Sequence, residues 1–467
     1  MSYDPRTEFH IGADVEGLGE RARKPDDGVY RILILGDFSG RARPFDGTLS
    51  TRRVDRDDLD DAIRAIAPEL SLSLDPSLGP ATMTFTELED FHPDRLLDRI
   101  PLLVNMRELR DARPSSDAPR EPSARSSSSS RTDAAALSLG SGSLLDRMME
   151  AEPDAGGTTI RGVAPQDELS DFLRRVVKPH LANEPSAEQQ ERAAKVDELT
   201  VATLRVLMHH PKFQALESLW RSVDFLTRRL DTNERLQIHI ADMPRSALTS
   251  MNPPNVVGWS LVVTEFSFGV EDLELVWHLA AMALSTRTPW IAAARPDLAG
   301  AASFGDGSDV DDWDQRPIAE WDELRRSTAA RWLCLTTPRM LLRIPYGRAS
   351  DPCTTLPFEE QDPSAPSHGS YLWGNGAFAA ALLLAQAAAD DDPPATHGTI
   401  SGLPLHVAKI DGELTAVPCA EALISQRSMT HLLDRGLTPL VSERDGDSVR
   451  LPRLQSVATP ASPLGGR

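Results

Sequence analysis

Residues 113–135 constrain this chain more than any other stretch. Pro, Ser, Asp and Arg dominate there, and Ser126–Ser130 is an unbroken serine run. Such a segment cannot bury enough apolar surface to offset the entropy of ordering it. The sequence therefore reads as folded modules on either side of a disordered linker. The full 467 residues leave room for two to four domains at about 100–200 residues each.

The first module occupies 1–112. Tyr30–Gly36, apolar from Ile32 to Leu35, reads as a buried strand, closed by the turn Asp37-Phe38-Ser39-Gly40. Leu59, Ile63 and Ile66 recur at helical spacing, and Pro68 stops that helix. Leu70–Leu74 and Met83–Leu88 alternate as strands. Pro93 and Pro101 each open a helix. This is a small α/β unit.

Residues 113–165 are assigned to the linker, interrupted by a short amphipathic helix at 143–150 that places Leu144, Leu145, Met148 and Met149 on one face. The second module spans 166–457, with a disordered tail at 458–467. Pro211 suits a helix start, and Phe213, Leu216, Trp220, Val223, Leu226 and Leu230 then recur every three or four residues. Strands are expected at Leu236–Ile240, Ser260–Phe268, Trp290–Ala294 and Trp332–Thr336, with helices at Leu273–Leu284 and Ala377–Ala389. Alternating strands and helices make the module α/β. The two modules are too unlike to be duplicates.

A net charge of −21 disfavours nucleic acid, whose phosphates need clustered Lys and Arg, and disfavours anionic membrane surfaces. The three cysteines, Cys334, Cys353 and Cys419, form no C-x-x-C pair and suit a reducing cytosol. The N-terminus carries no signal-peptide pattern and no apolar run is long enough to span a membrane, so a cytoplasmic location is expected.

The search for chemistry returns little. Gly374-Asn375-Gly376-Ala377-Phe378-Ala379 fits G-x-G-x-x-A, but the preceding apolar stretch is short and the acidic residues Asp390–Asp392 fall in a loop at the wrong distance. A Gly turn that starts a buried Ala-rich helix is the better reading. Asp306–Asp312 lacks the Gly and Glu of a calcium loop and reads as a solvated acidic loop. His209-His210 cannot converge on one metal, because adjacent helical positions point about 100° apart; helix-end capping is the expectation. No catalytic, cofactor or metal site is assigned, and the chain is not expected to be an enzyme.

Two sets of motifs then carry a family resemblance. His10–Gly17, Leu33–Gly40 and Glu87–Asp94 resemble the small subunit of the type VI secretion contractile sheath (TssB, also called VipA). Met208–Arg221, Pro338–Gly347, Phe358-Glu359-Glu360, Tyr371–Gly376, Gly402-Leu403-Pro404, Gly436–Leu440 and Gln455-Ser456 resemble the large subunit (TssC, also called VipB). The resemblance implies a fused sheath protein of two mixed α/β modules, at one-to-one stoichiometry. Its partners would be other sheath subunits, an inner tube of the Hcp kind and the baseplate. The fusion raises the effective concentration of each half for the other.

The chain departs from the family past Gln455-Ser456, where the large subunit's C-terminal strands are expected and the sequence ends at Arg467. It departs again around Asp390–Gly398, where the family carries an Arg-Gly turn. An alternative role follows from the same resemblance: an accessory protein that caps, initiates or regulates sheath assembly at an end or at the baseplate. In the large subunit an N-terminal helix is recognised by the system's AAA+ ATPase (ClpV). Ser143-Leu144-Leu145-Asp146 resembles the start of that helix. The apolar face of Leu144, Leu145, Met148 and Met149 suits helix-in-groove recognition, and packing on the second module is the open alternative.

Overall fold

The computed structural model describes residues 27–41, 45–73, 80–111, 187–305, 310–361, 367–410 and 413–465. The assigned linker and its amphipathic helix, the His10–Gly17 motif and the start of the second module at 166–186 lie outside them. The architecture is mixed α/β, as expected.

In the first module, β1 (Tyr30–Gly36) and β2 (Thr51–Val54) precede α1 (Leu59–Ile66), the hairpin β3 (Glu69–Ser73) and β4 (Pro80–Thr84), and the helices α2 (Pro93–Arg99) and α3 (Pro101–Asp111). Helix α1 buries Leu59, Ala62 and Ile63 and ends where Ala67 turns left-handed, just before Pro68. The second module begins with α4 (Ala187–Met208) and α5 (Pro211–Arg229). Then come β5 (Leu236–Asp242), β6 (Leu261–Phe268), α6 (Leu273–Thr286), β7 (Trp290–Ala294), α7 (Ala319–Arg326), β8 (Leu333–Thr337) and β9 (Met340–Arg343). The remainder is β10 (Leu372–Gly374), α8 (Ala377–Ala389), β11 (Gly398–Ile400), β12 (His406–Ile410), β13 (Glu413–Val417), α9 (Gln426–Asp434), β14 (Thr438–Pro439), β15 (Val441–Ser442) and β16 (Val449–Leu451).

The boundary between the modules is not a boundary in space. One sheet runs β14-β8-β7-β6-β1-β5-β2, so a strand from the first module sits between two strands of the second. β1 is parallel to β5, with Tyr30 opposite Leu236 and Gly36 opposite Asp242, and parallel to β6, with Ile32 opposite Leu261. β2 closes that edge, antiparallel to β5. Residues up to Leu109 and from Val196 onward belong to one unit; Arg110–Lys195 form a second.

A parallel sheet of this kind is covered on both faces, which is why β1 runs apolar from Ile32 to Leu35 rather than alternating. Ile32, Ile34, Val263 and Ile291 point to one core, shared by α1, the β3–β4 hairpin, α2, α5 and α8. Leu33, Leu35, Val262 and Ala292 point to the other, filled by α6 and α7. Helix α8 buries every side chain from Ala377 to Ala385, as a helix apolar all round must.

Two sequence expectations are corrected and one strand is added. The strand read at Met83–Leu88 ends at Thr84, and Leu88–Phe91 is a 3₁₀ turn. The Asp90 carboxylate draws in the amides of Thr86 (2.7 Å) and Glu87 (3.2 Å) and the Thr86 hydroxyl (2.9 Å), and this local closure outcompetes a ladder. The strand Thr51–Val54 is unexpected, because three of its four residues are polar and exposed. The disordered tail expected from 458 does not hold over 458–465. There the Thr459 amide donates to Arg325 O and the Gly465 amide to Arg331 O, and Ser456 bonds Ser462.

Candidate assembly site

The turn after β1 locks the seam. Gly40 sits at φ +63° with Leu70 Cδ2 only 2.9 Å from where a Cβ would stand, so glycine is required. Its amide donates to Asp37 Oδ1 (3.1 Å), and the Ser39 amide donates across the seam to Asp242 Oδ1 (2.9 Å). The Trp220 indole donates to Phe38 O (3.2 Å) while its ring meets Phe38 edge-on at 4.9 Å. Trp220 is fully buried, so its N–H needs that carbonyl. Phe85 and Phe91 stack at 4.2 Å, and Phe213 from α5 meets Phe91 edge-on at 5.6 Å.

A second clamp joins the modules at the start of α2. Asp94 accepts from the Thr354 amide (2.9 Å), the Thr354 hydroxyl (2.8 Å), the Thr355 amide (3.0 Å) and Cys353 Sγ (2.8 Å). Burial opposes ionisation of Asp94, but these donors outweigh it and hold its carboxyl well below the usual range. The same contact, after burial, pushes the Cys353 thiol up to about 11, which leaves it unreactive. Asp94→Asn is expected to cost about 1–3 kcal/mol, read by denaturant midpoint. A depressed carboxyl stabilises the fold above its ordinary value and loses that contribution as pH falls. The variant should therefore lose less stability than the parent between pH 5 and 3; an identical acid profile would contradict the clamp.

Beneath this lies a buried ion cluster. Arg343 makes paired bonds to Glu217 (2.7 and 3.1 Å) and to Glu360 (2.6 and 2.9 Å). Arg221 bonds Glu217 (2.8 Å) and the Tyr346 hydroxyl (2.8 Å), and the Tyr346 amide donates to Glu360 (2.8 Å). Glu217 is 0% and Glu360 1% exposed, so every lone pair matters. Burial would raise the Glu217 carboxyl, yet Arg343 and Arg221 together lower it. Tyr346 carries the guanidinium of Arg343 over its ring at 4.3 Å and meets His92 of the first module edge-on at 4.8 Å. The cluster thus braces the surface on which α2 sits.

This geometry joins the two modules through one sheet and the contacts beside it. Residues 190–255 and 255–458 match the VipB family, described as the EvpB/VC_A0108 tail sheath N-terminal domain, and residues 15–114 match the family described as type VI secretion system VipA, VC_A0107 or Hcp2. The chain belongs to the tail sheath family. It is 28% identical over 304 residues to the type VI secretion system sheath protein TssC1 of Pseudomonas aeruginosa (strain PAO1), covering 57% of this chain and 61% of that relative. The chain thus spans less than two thirds of the relative's length.

The sheath-family motifs read from the sequence converge in space. Glu217, Arg343, Tyr346 and Glu360 come from three of them, and their charges meet only after folding. Asn375 in the G-x-G-x-x-A stretch donates to Thr264 O (3.2 Å) and Glu265 O (2.6 Å) and accepts from the Ala377 amide (2.8 Å). A Cβ on Gly376 would lie 3.0 Å from Pro338 O, so this turn packs closely against its neighbours. His210 caps α5, its ring nitrogen accepting the Lys212 amide (3.2 Å), while His209, which burial lowers below its ordinary value, stands 3.8 Å from Glu360. Of the acidic loops, Asp311 pairs with Arg427 and Asp391 with Arg235. Among the described residues no group of His, Cys, Asp and Glu is placed to hold a metal, and no helix is long and apolar enough to cross a membrane. Leu144, Leu145, Met148 and Met149 lie outside the described residues. Sequence reasoning did not assign roles to Asp94, Glu217, Arg343 or Glu360, although the sheath-like motifs contain all four.

Proposed function

We propose that this chain is a structural subunit of a type VI secretion contractile sheath, a fused small-plus-large subunit that assembles with other sheath subunits around or on an inner tube. The observation that carries this reading is the seating of β1 between β5 and β6 in a chain matching both sheath families in order. One-to-one pairing of the halves is then built into a single sheet, and the residues spent on joining them are staples rather than catalysts. A cytoplasmic location and contacts to an Hcp-like tube and the baseplate belong to the same proposal.

Electron microscopy of the purified chain, alone and mixed with a standard sheath pair, tests it. Tubes from the chain, or its incorporation along sheaths of the pair, are expected. Density only at sheath ends would assign the capping role instead. Monomers that never associate with sheaths would contradict both.

The ATPase reading extends this proposal to Leu144, Leu145, Met148 and Met149. Leu145→Asp is expected to abolish pull-down by a ClpV-type AAA+ ATPase, because a charge cannot enter an apolar groove. Undiminished pull-down would rule those residues out as the recognition face.

A further inference from the structure

Three carboxylates meet at one level of the seam. Gly36 at the end of β1 pairs with Asp242 at the end of β5, and Leu35 pairs with Thr264, one residue before Glu265 in β6. Asp37 follows directly. A Cβ on Gly36 would stand 3.3 Å from Cβ of Glu265, so the first module's strand runs hard against this side chain. Asp37 and Asp242 each hold an amide donor, from Gly40 and Ser39. Glu265 differs: the residue is half-buried, and its Oε2 is fully buried and accepts no hydrogen bond.

Among the described residues, the elements packed around Glu265 bring no compensating cation. From β1 comes Asp37, and beyond it Asp242 from β5. From α5 the neighbour at Gly36 is Leu219. The turn before α8 offers Asn375, whose amide goes to backbone carbonyls, and α8 itself has no ionisable side chain. An unpaired buried carboxylate beside another is costly, whereas a carboxylic acid there is tolerated.

We propose that Glu265, Asp37 and Asp242 form a proton-dependent latch on the seam, closed while Glu265 is protonated and loosened when it ionises. Burial, reinforced by Asp37, pushes Glu265 up to about 8 from the ordinary 4.5. Burial and Asp242 likewise raise Asp37. Because the folded chain keeps a proton that the unfolded chain releases, this contribution to stability is full below pH 4.5. It declines as pH rises towards about 8 and levels off above that.

Denaturant titrations of the full chain from pH 5.5 to 9 test the latch. His209 and His239, half-buried rings that burial lowers below their ordinary value, pull stability the opposite way. The latch is therefore read as the difference between parent and variant. One retained proton corresponds to a tenfold fall in the folding constant per pH unit at the steepest point. Glu265→Gln should remove that slope and gain on the parent steadily as pH rises. Asp37→Asn should keep the slope but end it at a lower pH. Amide exchange at Leu35 and Ser39 in the parent, corrected for intrinsic rate, should quicken across the same interval. A slope retained in Glu265→Gln would overturn the latch. If that variant does not fold, unchanged behaviour in Asp37→Asn together with pH-independent protection of Leu35 would do the same.

Discussion

Arg343→Ala is expected to destabilise the fold by about 3–5 kcal/mol, a larger effect than loss of the Asp94 clamp, because it leaves buried charge without a partner. Arg343 is 8% exposed and is the hub of both carboxylates. Its loss strands Glu217 and Glu360, which retain Arg221, the Tyr346 amide and a distant His209 as polar neighbours. Total stabilities of about 5–15 kcal/mol leave little after such a loss. The measurement is a denaturant midpoint at pH 7, repeated at pH 5, where protonation of the stranded carboxylates should partly rescue the variant and not the parent. Arg343→Lys should recover only a fraction, since an ammonium cannot reproduce the two-sided fork. A midpoint within error of the parent would show that the cluster is dispensable.

Residues 187–467 expressed without the first module are expected to yield aggregated or molten protein, restored to a soluble and cooperative fold by co-expression of residues 1–111. The reason lies in β1: Ile32, Leu33, Ile34 and Leu35 are all 0% exposed and feed both cores. At about 1.5–3 kcal/mol for each buried aliphatic side chain, the four contribute roughly 6–12 kcal/mol, comparable with the stability of a whole domain. Removing β1 also leaves facing edges of β5 and β6 without ladder partners. Soluble yield and the cooperativity of melting decide the matter. A large-subunit module that folds alone would mean that β1 is an accessory strand.

Much of this fold was legible along the chain. The apolar run Tyr30–Gly36, the three- and four-residue spacing from Phe213 to Leu230 and the apolar block Ala377–Ala389 each became the element expected. Local chemistry decided them: no polar face means burial on both sides, and a Pro after a capping His means a helix start. What was hidden depended on distant partners. Thr51–Val54 looks polar and becomes a strand only because β5 offers an edge. Glu217 and Arg343 lie 126 residues apart, and nothing in either neighbourhood signals the other. The family resemblance marked their stretches as meaningful without saying what they do; the folded geometry supplies the reason. Asp94 is similar, reading as an ordinary first-turn acid until Cys353, Thr354 and Thr355 arrive from 259 to 261 residues away.

Native-state hydrogen exchange of the intact chain tests the shared sheet most directly. β1 is an interior strand of the seven, between β6 and β5, with both faces covered. Amides of Ile32–Leu35 should therefore exchange as slowly as those of Ile238–Ile240 and Val262–Thr264, and all three strands should open together at the global unfolding free energy. Faster, independent exchange of β1 while β5 and β6 stay protected would contradict the shared sheet, and would mean that the two modules are separable bodies after all.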